Sequence, residues 1–161
     1  MTKILITAAT TATAIKIKKA FAGFELILAD YGEVPQLQTE NYSFLSLGNQ
    51  NKESAAHILL TSCLDHNVDM ILPLYRFEIE AVSKAVTLFT EYGIKVLLPR
   101  TDLLPQYDVQ TDLKNWIILE NGNILYQSFP EHIRNEEAAN LKLNGAFYIE
   151  PQTEKLGLIS I

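Results

Sequence analysis

Short apolar runs alternate with segments of helical periodicity through the first hundred residues. Lys-Ile-Leu-Ile-Thr-Ala at positions 3 to 8 is rich in β-favouring types, and the stretch from Thr13 to Ala22 follows it directly. In that stretch Ala14, Ile17 and Phe21 recur at spacings of three and four, leaving Lys16, Lys18 and Lys19 for solvent. Gly23 is the predicted stop. Phe24 to Ala29 reads as a second buried strand ending at Asp30, the turn chemistry of Tyr31-Gly32-Glu33-Val34-Pro35 comes next, and Ser43 to Leu47 is a short third strand. Glu53 to His66 predicts a helix with Ala56, Leu59, Leu60 and Cys63 on one face, stopped at Asn67. Val68 to Leu72 is a fourth strand. The most regular periodicity runs from Phe77 to Tyr92, where Ile79, Val82, Val86 and Phe89 form one stripe before Gly93, and Ile94 to Leu98 is a fifth strand.

Strands that are apolar throughout, alternating with amphipathic helices, predict a parallel sheet covered on both faces. Residues 1–100 are therefore expected to form an α/β, Rossmann-like domain. Residues 101–161 have another texture and predict a small β-rich extension. Trp116 to Leu119 and Ile124 to Gln127 flank Glu120-Asn121-Gly122-Asn123, a strong hairpin signal. Glu131 to Leu141 is helix-like, and a closing pair, Phe147 to Glu150 and Leu156 to Ile161, is joined by a turn containing Pro151.

Composition narrows the function classes. The chain has 161 residues with 13 Lys+Arg against 19 Asp+Glu, a formal charge of −6, which gives no cationic surface for nucleic acid or anionic lipid. A single cysteine excludes an intramolecular disulfide, and Ile4 to Thr7 is too short for a secretory or membrane-spanning segment, so a cytoplasmic location is expected. Cys63 lies on an apolar stripe and is expected to be packing rather than a nucleophile paired with His66. His57, His66 and His132 show no metal-ligand spacing, and Asp102, Asp108 and Asp112 read as a solvated acidic series, so no metal and no cofactor is expected.

Ligands of a doubly wound sheet bind beyond the carboxyl ends of its strands. The first such turn, Thr7 to Ala14, contains no glycine, which argues against a dinucleotide bound in the usual way. Its hydroxyls at Thr10, Thr11 and Thr13, with helix amides, are candidates for a small anion, or else they cap the helix. Tyr75, Arg76 and Glu78 follow the fourth strand and should face the same edge as Thr10 and Asp30. Arg76 there is either a fork for a carboxylate or phosphate, or a surface partner of Glu78 or Glu80.

Lys3-Ile4-Leu5-Ile6-Thr7-Ala8-Ala9, its helix, and the strand ending in Ala29-Asp30 resemble the start of ATP-grasp ligases of the carbamoyl-phosphate-synthase large-chain type. Val68-Asp69-Met70-Ile71-Leu72-Pro73-Leu74, the helix with Glu78, Ile79 and Phe89, and Tyr92-Gly93-Ile94-Lys95-Val96-Leu97 extend the likeness over about the first hundred residues, the span of that family's pre-ATP-grasp domain. Asp30 and Glu78 match acidic positions of the pattern. Ala9, Thr10 and Thr11 replace its Gly and Arg residues, and Arg76 and Phe77 replace an acidic pair. Asp112 to Gly122 is similar to the helix that precedes the family's nucleotide-binding module, with Leu113 in place of its lysine, so helix stands beside hairpin as a reading there.

The resemblance implies a pre-ATP-grasp domain without its catalytic module, for which some 60 residues leave no room. The expected function is that of a non-catalytic accessory domain, acting as a homodimer or with a separately encoded ATP-grasp subunit. The alternative is an enzyme that binds a small anionic ligand or nucleotide at the strand edge near Thr10, Thr11, Asp30, Tyr75, Arg76 and Glu78.

Overall fold

The computed structural model describes residues 1–107, 114–150 and 152–161. Two compact units are present, one comprising Met1–Val96 together with Ile161, the other Leu97–Ser160.

The first unit contains β1 (Lys3–Ile6), α1 (Ala12–Ile17), β2 (Glu25–Asp30), β3 (Tyr42–Ser46), α2 (Ala55–Asp65), β4 (Met70–Leu72), α3 (Arg76–Lys84), α4 (Val86–Glu91) and β5 (Lys95–Val96). Its strands form one parallel sheet in the order β3-β2-β1-β4-β5. The α/β, Rossmann-like expectation holds. β1 sits at the centre, and Ile4, Leu5 and Ile6 are all fully buried, as a strand covered on both faces requires. The chain proceeds from β1 to β2 on one side and later to β4 on the other, so the strand order reverses between β1 and β4. That reversal opens a crevice beyond their carboxyl ends.

Local chemistry sets the helix limits. Thr11 is the N-cap of α1 and its hydroxyl accepts from the Ala14 amide at 3.3 Å. Ala14, Ile17 and Phe21 are buried as the periodicity predicts, although the helix tightens to a 3-10 turn over Lys18–Phe21 before Gly23 is reached. Asn67 ends α2 in the left-handed region (φ 54°), with the Val68 amide donating back to Cys63 at 2.8 Å. Gly93 does the same for α4, where the Ile94 amide donates to Phe89 at 2.9 Å.

Three expectations are corrected here. The single helix over 77–92 is two, because at Ala85 (φ −108°, ψ 11°) the amide bonds Val82 three residues back rather than continuing the helical ladder. The β-branched pair Val86-Thr87 begins the second piece, which still buries Phe89 fully. The buried face of α2 uses Ala55 rather than Ala56, with Leu59, Leu60 and Cys63. The fifth strand is only two residues long. β2 and β3, moreover, are joined without a helix, through the Gly- and Pro-containing segment that lacks helical periodicity.

The second unit holds a 3-10 turn (Leu104–Tyr107), β6 (Trp116–Glu120), β7 (Asn123–Gln127), α5 (Glu136–Leu141), β8 (Gly145–Ile149) and β9 (Leu156–Leu158). Its sheet is antiparallel in the order β7-β6-β8-β9. Asn121 and Gly122 take φ values of 50° and 80°, the two-residue turn that matches strand twist. β6 settles the hairpin reading for 116–120; Asp108, Asp112, Leu113 and Pro151 lie outside the described residues. α5 starts later than expected because the Asn135 side chain caps it, accepting from the Ala138 amide at 2.8 Å. Ile117, Leu119, Leu143, Phe147 and Ile149 build this unit's core.

Candidate functional site

The turns after β1, β2 and β4 meet at the crevice, and Thr7, Thr10, Asp30, Tyr31, Tyr75 and Glu78 form its polar lining. Two carboxylates are buried there: Asp30 is 3% exposed and Glu78 is 0% exposed. Buried charge is costly unless it is saturated with donors. Asp30 Oδ2 accepts from the Thr10 amide (2.9 Å) and hydroxyl (2.6 Å), while Oδ1 accepts from the Tyr31 amide and the Tyr75 hydroxyl, both at 2.8 Å. Glu78 Oε1 accepts from the Tyr31 hydroxyl at 2.7 Å, and Oε2 accepts from the Thr7 hydroxyl and, at 3.3 Å, from the Tyr75 amide. The Thr7 hydroxyl accepts in turn from the Leu74 amide at 2.7 Å.

The bonds cross. Tyr31 gives its amide to Asp30 and its hydroxyl to Glu78, whereas Tyr75 gives its amide to Glu78 and its hydroxyl to Asp30. Each tyrosine therefore ties the turn after its own strand to the carboxylate of the other. The Tyr31, Tyr75 and Phe77 rings pack together, with centroids 5.6 to 5.9 Å apart.

The two acids titrate in opposite directions. Burial alone would raise Asp30, but its bonds from Thr10, Tyr75 and Tyr31 outweigh burial and hold it below the ordinary aspartate value. For Glu78 burial dominates its bonds from Thr7, Tyr31 and Tyr75, and the nearby Asp30 charge adds to it, so this carboxyl is raised. Burial and the adjoining carboxylates push both tyrosines well above their usual range, which keeps their hydroxyls protonated as donors.

The loop after β1 achieves this without glycine. Ala8 adopts φ 55°, a conformation that costs a non-glycine residue about 1–2 kcal/mol. Offsetting bonds hold it: the Thr11 amide and hydroxyl both donate to the Ala8 carbonyl, at 3.0 and 2.7 Å, and the Ala9 amide donates to Ala29 at 3.1 Å.

Of the six residues singled out from sequence, Thr10, Asp30, Tyr75 and Glu78 are joined in this network. Thr11 caps α1, and Arg76 pairs with Glu80 along α3 at 3.7 Å. Sequence reasoning missed Thr7 and Tyr31 as members. Their signals were a lone polar residue closing the apolar run of β1 and an aromatic immediately after the acid that ends β2. Cys63 is fully buried and its thiol is pushed up to about 12 by burial. Among the described residues no cluster of three or more His, Cys, Asp or Glu is suited to a metal ion, and no helix is long and apolar enough to cross a membrane.

No family model matches this sequence. No curated protein matches it either. Solved structures do match. The crystal structure of the Kluyveromyces lactis urea amidolyase has a TM-score of 0.52 at 14% identity, covering 99% of this chain and 13% of that one. The Kluyveromyces lactis urea carboxylase gives 0.50 at 14% identity, with 99% and 19% covered. The biotin carboxylase domain of a single-chain bacterial carboxylase gives 0.48 at 17% identity, with 66% and 26% covered. The chain thus spans about a quarter or less of each of these proteins. What it shares with the urea amidolyase and the urea carboxylase is the fold.

Proposed function

We propose that the chain is a non-catalytic accessory domain related to the N-terminal domain of ATP-grasp ligases, acting as a homodimer or with a separately encoded ligase module in the cytoplasm. The ordered strand, turn and helix set over residues 1–100 supports the relation, as does a fold likeness to the urea amidolyase and urea carboxylase that extends over 99% of the chain.

One observation carries the accessory role. At the strand edge where a doubly wound fold does its chemistry, the donors are committed to the protein's own carboxylates. The Thr10 amide and hydroxyl, the Tyr31 and Tyr75 amides and both tyrosine hydroxyls all point at Asp30 or Glu78. A substrate phosphate placed there would meet two buried acids in place of free donors, and like charges at short range repel strongly in a poorly hydrated site.

Gel filtration with light scattering tests the reading, using the purified chain alone and mixed with an ATP-grasp module that lacks its own N-terminal domain. A dimer or a co-eluting complex is expected, and the chain alone should release no ADP from ATP. A monomer that does not co-elute, or turnover of ATP by the chain by itself, overturns the proposal.

A further inference from the structure

The Asp30 carboxylate sits in its network as a bound anion would. It is 3% exposed, and its four partners are all neutral donors. Each oxygen takes two of them, Oδ2 from the Thr10 amide and hydroxyl and Oδ1 from the Tyr31 amide and the Tyr75 hydroxyl, at 2.6 to 2.9 Å. Donors that converge in pairs on both oxygens of a carboxylate, from the turns after β1, β2 and β4, form an oxyanion seat.

The seat does not depend on Asp30 for its shape. The Thr10 turn is fixed by the Thr11 amide and hydroxyl on the Ala8 carbonyl, at 3.0 and 2.7 Å, and by the Ala9 amide on Ala29 at 3.1 Å. Tyr31 is fixed by its hydroxyl on Glu78 at 2.7 Å. Tyr75 is fixed by its amide on Glu78 at 3.3 Å and by stacking on Phe77, with centroids 5.7 Å apart and planes at 19°. Because none of these contacts involves Asp30, the donors keep their aim when its carboxyl is taken away, and the ordering cost of receiving another anion is small. Thr10 is exposed, so the seat can be reached from solvent on that side.

Tethering gives the native carboxylate an advantage that a free ion at ordinary concentration cannot match. Asp30→Ala removes that competitor. The substitution keeps Cβ and deletes one carboxyl group, a space that matches formate in size and in its preference for charge. Glu78 would stand as close to a bound formate as it does to Asp30 in the native network, so rebinding restores an arrangement the fold already tolerates.

We infer that the turns after β1, β2 and β4 form a binding site for a small carboxylate, which the Asp30 side chain fills from within as an autoinhibitory contact. The site rests on the closed strand edge that carries the accessory role, and the two fail separately. A monomer that does not co-elute removes the accessory role and leaves a formate site standing. A variant indifferent to formate removes the site and leaves the assembly result untouched.

Thermal melting of full-length Asp30→Ala in sodium formate, against sodium chloride at equal ionic strength, tests it with the wild type as control. The variant should gain about 3–6 °C, saturably, in about 1 M formate for a Kd of about 0.1 M, and the wild type should gain nothing beyond chloride. Benzoate, too large for the space of one carboxyl group, should give no gain. Amide NMR should place the formate shifts at Thr10 and Tyr31. Adding Tyr75→Phe to Asp30→Ala removes one donor and should weaken formate by about tenfold or more. If Asp30→Ala is unfolded in chloride, formate should refold it, read by far-ultraviolet circular dichroism. Equal gains in variant and wild type, a gain from benzoate as large as from formate, indifference to Tyr75→Phe, or neither gain nor refolding in formate overturns the inference.

Discussion

Replacing Thr7 by valine removes one hydroxyl from the middle of the buried network at almost constant volume. Thr7 is fully buried, and its hydroxyl both accepts from the Leu74 amide at 2.7 Å and donates to Glu78. Valine leaves the Leu74 N–H without that acceptor, a loss of about 1–3 kcal/mol, and deprives a buried carboxylate of a bond worth about 1.5–3 kcal/mol. The two losses share one side chain and do not add fully, so a destabilisation of about 2–5 kcal/mol is expected at pH 7. That is a large part of the stability of a domain this size. The sign of its pH dependence follows from Glu78. Its folded pKa lies above the ordinary glutamate value of 4.5, so between those two values the native state binds more protons than the unfolded state and stability falls as pH rises. Loss of the Thr7 bond raises the carboxyl further, so the difference between wild type and Thr7→Val should shrink as pH is lowered toward 4.5. Urea unfolding followed by far-ultraviolet circular dichroism at a series of pH values measures both quantities. A loss below about 1 kcal/mol at pH 7, or one that grows toward acid, would refute the assignment of Thr7 as the shared link.

Asp30 behaves in the opposite sense. Because its folded pKa is below 3.8, it contributes stability above that value that is lost as pH falls through the folded pKa, and Asp30→Asn should lower stability by about 2–4 kcal/mol at pH 7 and flatten the acid limb of the melting curve. In the second unit, Gly122 takes φ 80° and an added Cβ would stand 2.8 Å from the Ala138 carbonyl oxygen and 2.9 Å from Ala139 Cα. Gly122→Ala should cost at least about 2 kcal/mol, read from the emission of Trp116, the chain's one tryptophan. The thiol of Cys63, buried and pushed up to about 12, should remain unreactive toward a disulfide reagent at pH 8 until the protein is denatured, whereas prompt native labelling would contradict its burial.

The arrangement of the sheet was legible because residues 4–6 of β1 and all of β4 are apolar, a pattern that a doubly covered strand requires. The hairpin was legible for a different reason, since Asn121-Gly122 encodes its own backbone geometry. Less was legible where tertiary contacts overrule a local pattern. The stripe from Ile79 to Phe89 is continuous in sequence, yet the helix breaks at Ala85 and still buries both ends of the stripe. Ala8 enters the left-handed region although alanine disfavours it, because three hydrogen bonds from Thr11 and Ala9 outweigh the strain. In the candidate site, the positions of Asp30, Tyr75 and Glu78 followed from strand ends. That they would bond to one another could not be read from the sequence, since it depends on parallel register bringing together turns separated by 45 and 47 positions. Arg76 shows the limit most plainly, because one helical turn decides whether it faces the crevice or pairs with Glu80.

Hydrogen exchange at the Thr10 and Tyr31 amides, measured with and without magnesium ATP, most directly tests whether the strand edge is closed upon itself. Both amides donate to Asp30. They should exchange as slowly as amides inside the sheet and be indifferent to the nucleotide. Fast exchange that becomes slow on adding magnesium ATP would mean that the donors are open to a ligand, and would contradict the account.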